Sequence, residues 1–263
     1  MRIGTRSGWF AAWVVVAAWF PASVHAGSGN FTASQDNTLY QTSDGSLSNG
    51  AGPHFFAGRN STPGNIRRAV IAFDPLGGWT PVPPGAIITS ATLVLHVSSS
   101  SGGASTMSLH RVTSAWGEGA SNAGSPGGGG APSQPGDATW LHTFHDSQFW
   151  STPGGDFVAT PSATFVVDQP ETYAIGSTPE MVADVQLWVD DPSQNFGWII
   201  LGDESQPGTA KRFDSRENAN GFFQPQLTIE YVEVPSPAGS LCMVLAILRL
   251  NLGRRRCDRC MEA

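Results

Sequence analysis

The feature that most constrains this chain is a series of short segments in which apolar residues alternate, each closed by glycine, proline or a small polar residue. In Ala91 to Val97, residues Ala91, Leu93, Leu95 and Val97 share one face, while Thr92, Val94 and His96 share the other. Successive strand side chains point to opposite faces, so this period of two predicts a strand with one face in a core. Similar segments occur at Thr38 to Thr42, His54 to Arg59, Arg67 to Asp74, Met107 to Val112, Thr139 to Phe144, Ala163 to Val167 and Thr172 to Ile175. The closing unit adds Phe196 to Leu201, Lys211 to Ser215 and Gln226 to Val232. Short strands at turn-bounded spacing, without long helices between them, predict an all-β fold, an antiparallel jelly-roll-like β-sandwich.

One segment has a different period. Between 178 and 190, Met181, Val185 and Trp188 recur at i, i+4, i+7, with Val182 and Val189 beside them. Thr178 suits the cap, Pro179 the first helical position and Glu180 the positive end of the helix dipole. A short amphipathic helix across one opening of the sandwich is expected, with Trp188 in the core. Residues 120–136 (ASNAGSPGGGGAPSQPG) have no apolar periodicity and are expected to form a long mobile loop inside a single domain covering 27–234.

The two ends differ from this domain. Residues 1–26 carry Arg2 and Arg6, twelve apolar residues from Trp9 to Phe20, and a small-residue pattern at Val24-His25-Ala26. These are the parts of a secretory signal peptide cleaved after Ala26, and the apolar run is short beside the ~20 residues that span a bilayer. The expected destination is extracellular or the cell envelope. In 235–263, a Pro-Ser-Pro stretch, an apolar run from Leu241 to Leu248 and an arginine cluster at 254–256 follow in order. This resembles a PEP-CTERM sorting tail, with Ser236 where that family usually has glutamate. It implies contact with export and sorting machinery and a transient membrane association. Cys242, Cys257 and Cys260 all lie in the tail, so 27–234 is expected to be held by its core without disulfides. The C-x-x-C pair has too few companions for a structural zinc.

Residues 27–234 hold seven basic side chains against nineteen carboxylates. Such a surface repels phosphate backbones and argues against nucleic acid as a partner. Calcium, which takes carboxylate and carbonyl oxygens from loops, is compatible with it, although the fold requires no cofactor; Asp36, Asp214 and Glu217 are the candidate ligands.

Several motifs occur in one order along the chain: Asp36-Asn-Thr-Leu-Tyr40, Leu47-Ser-Asn-Gly50, Arg68-Ala-Val-Ile-Ala-Phe-Asp74, Ala91-Thr-Leu-Val-Leu95, Trp116-Gly-Glu118, Ala138-Thr-Trp140, Phe196-Gly-Trp-Ile199, and Ser215-Arg-Glu217 before Pro225-Gln-Leu-Thr-Ile229. In this order the chain resembles the DNRLRE domain family, which is similar to a group of carbohydrate-binding modules and includes disaggregatase-related domains. The resemblance implies a sandwich outside the cell, often beside polysaccharide-active modules, and assigns no catalytic residue. Relatives that bind acidic polysaccharide use clustered lysines and arginines, whereas here Arg59, Arg67, Arg68 and Arg111 are the basic residues in the first half of the domain. That departure argues against anionic sugar ligands and leaves neutral glycans open.

Sugar rings stack on aromatic faces, so tryptophans beside loops are the candidate ligand contacts: Trp150 first, as the most exposed, then Trp140, Trp116 and Trp79, with Arg59 and Arg67 as polar partners. Core packing is the competing role for each tryptophan. His142 and His145 need a turn between them to share a metal. The expected function is an exported, non-catalytic module binding carbohydrate or matrix. A polysaccharide-degrading lyase or hydrolase is the alternative, for which Tyr40, His54 and Arg67 supply the groups of a lyase. A structural surface protein without a small ligand is the third reading.

Overall fold

The computed structural model describes residues 24–62, 65–78 and 80–233. Its strands, in chain order, are β1 (His25–Tyr40), β2 (Leu47–Ser48), β3 (His54–Arg59), β4 (Ile66–Phe73), β5 (Ile87–Ser100), β6 (Ser105–Arg111), β7 (Ala131–Pro132), β8 (His142–Phe144), β9 (Gln148–Phe149), β10 (Ala163–Val167), β11 (Thr172–Gly176), β12 (Trp198–Leu201), β13 (Lys211–Asp214) and β14 (Gln226–Glu233). The helix α1 (Pro179–Asp190) lies between β11 and β12, followed by one 3-10 turn, Pro192–Gln194. The all-β sandwich expected from the alternation is what the chain forms, and every pairing between these strands is antiparallel.

β1 belongs to both layers. Up to Thr32 it pairs with β14; from Ala33 onward it pairs with β4, in a ladder that carries a bulge between Ala33 and Gln35. One layer therefore runs β1, β14, β5, β11, and the other β1, β4, β12, β6, β10. β13 and β3 bridge β5 to β4 and close the side of the sandwich. The main core fills the space between the layers with Leu93, Leu95 and Val97 of β5, Ile71 and Phe73 of β4, Trp198 and Ile200 of β12, and Leu227 and Ile229 of β14. Each such side chain contributes about 1.5–3 kcal/mol on burial.

The helix forms where its period predicts. Thr178 Oγ1 accepts from the Met181 N–H at 3.1 Å, Pro179 opens the first turn, and Met181, Val185, Trp188 and Val189 are buried. Trp188 packs on Trp198 at 4.5 Å between ring centroids. Beneath it, Asp184 accepts from Trp198 Nε1 at 2.8 Å and pairs with Arg111 Nε at 3.0 Å, which fixes the helix to β12 and β6.

A second apolar cluster lies on the far side of the β4 layer. Val70 and Ala72 of β4 and Ile199 of β12 point away from the main core, toward Leu39, Val112, Trp116, Ala138, Trp140 and Trp150. Both faces of this layer are thus covered, which explains why Phe196 to Leu201 reads as a continuous apolar run. The covering segment, 112–157, includes the glycine- and proline-rich stretch, and there the expectation of a mobile loop is corrected. Tyr40 Oη donates to the Gly127 carbonyl at 2.9 Å, Arg67 Nε to that of Gly128 at 3.0 Å, and the Ala123 N–H to Asn49 Oδ1 at 2.7 Å. Asp137 Oδ1 accepts the N–H of Ala120 at 2.8 Å, and β7 pairs with β2. Gly119 has a φ of 74°, and a Cβ there would meet Asp137 Oδ1 at 1.6 Å, so only glycine lets the chain approach this anchor. Polar side chains gripping backbone, with no apolar period, order the stretch.

The greater part of the expected signal peptide, the sorting tail with its three cysteines, and Trp79 lie outside the described residues. At the leader's boundary, His25 and Ala26 pair with Glu233 and Val232.

Candidate functional site

The tryptophans expected to meet ligand are anchors of the covering segment. Trp116 donates from Nε1 to the Phe196 carbonyl at 2.8 Å, and Trp150 from Nε1 to that of Thr139 at 2.9 Å. Trp150, expected to be the most exposed, is 5% exposed; Trp116 and Trp140 are buried with it. The correction has a physical cause: a segment rich in glycine and polar residues has little aliphatic surface, so its large aromatic side chains supply the anchorage. Among the described residues, the strongly exposed aromatics are phenylalanines instead, Phe149 at 67% and Phe222 at 91%.

Above these anchors is a polar groove of about 560 Å³ lined by Arg68, Thr113, Ser114, Ser151 to Pro153, and Gly155 to Phe157. Arg68 comes from β4. Its guanidinium forks onto Glu204 at 2.7 and 2.9 Å, donates to the Gly154 carbonyl at 2.9 Å, and lies 5.0 Å over the Trp140 ring and 5.6 Å over Phe157. Asp156, also in the lining, accepts from the N–H groups of Ser151 and Thr152 at 2.8 and 2.9 Å and from Ser114 Oγ at 3.2 Å. The lining therefore mixes rigid donors, hydroxyls and a carboxylate beside one aromatic face.

A second polar region covers the outer face of β3, β13 and β5. Because Phe55, Phe213 and Val97 turn inward, their neighbours turn outward and form rows across the strands. In one row Arg212 lies between Phe56 and Ser99 in register and donates from Nε to Ser98 Oγ at 3.0 Å. In the next, the buried Asp214 carboxylate sits between His54 Nε2 at 3.4 Å and His96 Nδ1 at 2.5 Å. Phe223 stacks on the His96 ring at 3.9 Å. Burial holds the His54 imidazolium below the ordinary histidine range, with Arg212 adding to the effect and Asp214 opposing it. A groove of about 210 Å³ follows the first row and includes Arg67 and Arg212.

The remaining candidates fall elsewhere. Arg59 lines neither groove; its Nη1 donates to the carbonyls of Glu204 and Ser205 at 3.3 and 3.4 Å. Tyr40 and Arg67 come together, with the guanidinium 5.2 Å over the phenol ring. Burial pushes the Tyr40 phenol well above its ordinary value, with Arg67 opposing, and its Oη donates to the Gly127 carbonyl.

Asp36 and Glu217 share a cluster with Glu118 and Arg216, while Asp214 is committed to the two histidines. Asp36 Oδ2 accepts from the Arg216 N–H at 2.8 Å, and the Asp36 N–H donates to Glu118 Oε1 at 2.9 Å. Arg216 Nη1 donates to Glu118 Oε2 at 2.8 Å and to Glu217 Oε1 at 3.1 Å. Asp36 Oδ1 and Glu217 Oε2 are buried without a hydrogen-bond partner. Desolvation pushes the Asp36 carboxyl well above the usual carboxylate range; Glu217 and Glu118 push the same way, while Arg216 opposes. A turn does bring His142 and His145 together, with Nδ1 atoms 3.5 Å apart, but His142 Nδ1 also meets Thr139 Oγ1 at 2.9 Å. Among the described residues, no three His, Cys, Asp or Glu side chains converge as metal ligands.

Fold and surface together define an all-β sandwich with one polar groove on its covering segment and a smaller, arginine-lined one beside β13. No protein-family model matches the chain, and no curated protein matches it. Sequence reasoning missed Arg212, Phe222 and Phe223. For Arg212 a signal was present: in Lys211 to Ser215 the apolar Phe213 marks the inward face, which puts Arg212 and Asp214 outward together.

Proposed function

We propose that the domain is an exported, non-catalytic module of the DNRLRE type that binds carbohydrate or matrix polysaccharide at the cell envelope. The observation that carries this reading is the groove of about 560 Å³ between Arg68 and Asp156. Sugar hydroxyls both donate and accept, and their ring faces are apolar, so a surface that recognises them combines hydrogen-bonding groups of both kinds with an aromatic edge. Arg68 donates, Asp156 accepts, Thr113, Ser114, Ser151 and Thr152 do both, and Phe157 supplies the aromatic edge. The groove has the volume of a small-ligand site. Its walls are tied by the Arg68–Glu204 fork and the Asp156 bonds, so little order has to be imposed when a ligand arrives.

The test is a glycan array probed with the purified chain and with Thr113→Trp, which fills the groove from an exposed position. Saturable binding to neutral oligosaccharides, reduced at least tenfold in the variant, is expected. Binding unchanged by the variant moves the site elsewhere, and a folded chain that binds no glycan removes the proposal.

The Asp214–His96 pair favours an enzyme as the second reading, because a buried carboxylate on Nδ1 orients an imidazole for proton transfer at Nε2. Depolymerisation of any array ligand, abolished by His96→Gln, is the result that selects it.

A further inference from the structure

The domain has far more carboxylates than cations, and at least three of its six arginines form ion pairs with them. Arg68 pairs with Glu204, Arg111 with Asp184, and Arg216 with Glu118 and Glu217. Arg67 and Arg212 differ: among the described residues, neither has a carboxylate within ion-pair distance, and both line the groove of about 210 Å³.

Their hydrogen bonds go to neutral oxygens. Arg67 donates from Nε at 3.0 Å and from Nη2 to the Gly128 carbonyl, and from Nη1 to that of Asn65 at 3.1 Å. Arg212 donates from Nε to Ser98 Oγ and from Nη2 to the Ser98 carbonyl at 3.3 Å, and its Nη1 makes no hydrogen bond to a described residue. Each terminal nitrogen carries two hydrogens, so both guanidinium groups keep N–H donors beyond those already used. The Arg67 side chain is buried and clamped from several directions, including by the Tyr40 ring beneath it. A desolvated cation without a counter-ion is costly to hold, and an anion placed beside it offsets that cost.

The rest of the groove suits the same occupant. Ser99 and Ser101 bring hydroxyls to the lining, and Phe56 and Pro126 bring apolar surface. Lys211, buried on the other face of β13, holds the turn that carries Ser101 by donating from Nζ to Ser100 Oγ at 2.8 Å and to the carbonyls of Ser101, at 2.7 Å, and Gly103. Planar guanidinium forks paired with hydroxyls are the usual means of holding an oxyanion.

From this we infer that the groove between Arg67 and Arg212 is a binding site for one oxyanionic group, a carboxylate, sulfate or phosphate, with room for at most a single ring attached to it. The site stands apart from the Arg68–Asp156 groove and does not depend on it.

The test is calorimetric titration of the purified chain with sodium sulfate, methyl glucuronide and methyl glucoside at constant ionic strength in chloride. Saturable binding of sulfate or glucuronide is expected, with the glucoside at least tenfold weaker. Sulfate binding as tightly as glucuronide identifies a free anion as the ligand; glucuronide tighter by tenfold identifies an anion carried on a sugar. Arg212→Gln, on the half-buried rim, should weaken either at least tenfold while the chain keeps its unfolding midpoint. Arg67→Lys keeps the charge and loses the fork, and it should weaken binding several-fold, whereas Thr113→Trp should leave it unchanged. The inference is overturned if the folded chain binds neither anion, if glucoside and glucuronide bind equally, or if Arg212→Gln has no effect.

Discussion

Replacing Asp36 with asparagine should remove a pH dependence of stability that the buried acidic cluster builds in. Asp36 is fully buried, one of its oxygens has no partner, and Glu118 and Glu217 face it across a single guanidinium. Its carboxyl is pushed well above the usual carboxylate range, first by desolvation. In the unfolded chain it titrates near the ordinary value of ~3.9. Between those two pKa values the folded state binds one proton more than the unfolded state, so stability falls as pH rises, by about 1.36 kcal/mol per pH unit. Asparagine resembles the protonated acid and does not titrate. The variant should therefore match the native chain near pH ~4 and gain about 1.4 kcal/mol on it for each pH unit climbed, until the folded pKa is passed. In thermal unfolding this is about 3–5 °C per pH unit for a domain of this size. His54 and His142, whose imidazolium forms are depressed by burial, bend the absolute curves the other way, because their contribution is present above the ordinary histidine pKa and lost as pH falls. They are common to both proteins and cancel in the difference. Urea unfolding of both chains across this range is the assay. Parallel curves, or a variant less stable at every pH, would refute the reasoning.

Other outcomes follow from the same contacts. Trp150→Ala should cost about 3–5 kcal/mol in urea unfolding, as for a large buried aromatic, while Phe222→Ala should stay within about 0.5 kcal/mol; equal effects would mean that Trp150 anchors nothing. Lys211→Met keeps the stem and removes the ammonium that holds Ser100, Ser101 and Gly103, and should cost about 1–3 kcal/mol in the same assay. Thr178→Ala removes the helix cap and should cost about 1 kcal/mol. His142→Gln should flatten the loss of stability on acidification below the ordinary histidine range, since burial holds His142 neutral.

The parts of this fold that could be read in advance are those where one residue decides its own environment. Ala91, Leu93, Leu95 and Val97 recur at every second position, and Met181, Val185 and Trp188 keep a helical period; both patterns reach the core they predict. The covering segment has no such pattern, because its order comes from pairs distant in the chain: Asn49 with Ala123, Arg67 with Gly128, Tyr40 with Gly127. The first half of β1 escaped notice for a similar reason. His25 to Asn30 is glycine- and serine-rich, and it becomes a strand because β14 offers it a partner. At the candidate site, residue type misled where surroundings decide. A tryptophan beside a loop has the chemistry of a sugar platform, but the loop beside Trp150 has little else with which to hold itself down. Arg67 was legible as a candidate, whereas its partnership with Arg212 depends on β13 lying between β3 and β5.

That partnership also changes what the acidic balance means. In residues 27–234, seven basic side chains against nineteen carboxylates argue against a partner with many phosphates, because such binding draws on a whole basic surface releasing counter-ions. They argue much less against a single oxyanion. At physiological ionic strength, charges farther than ~8 Å are largely screened, and screening is weaker for groups withdrawn from solvent. An anion in the small groove therefore meets Arg67 and Arg212 at close range, the first of them buried, while the exposed carboxylates of the surface act through salt. The partners of the other arginines make the contrast a matter of placement: Arg68 and Arg216 reach carboxylates 136 and 98 residues away in the chain, so the fold brings acids to cations where it needs ties. Beside Arg67 and Arg212 it places carbonyls and hydroxyls, which orient a guanidinium without neutralising it.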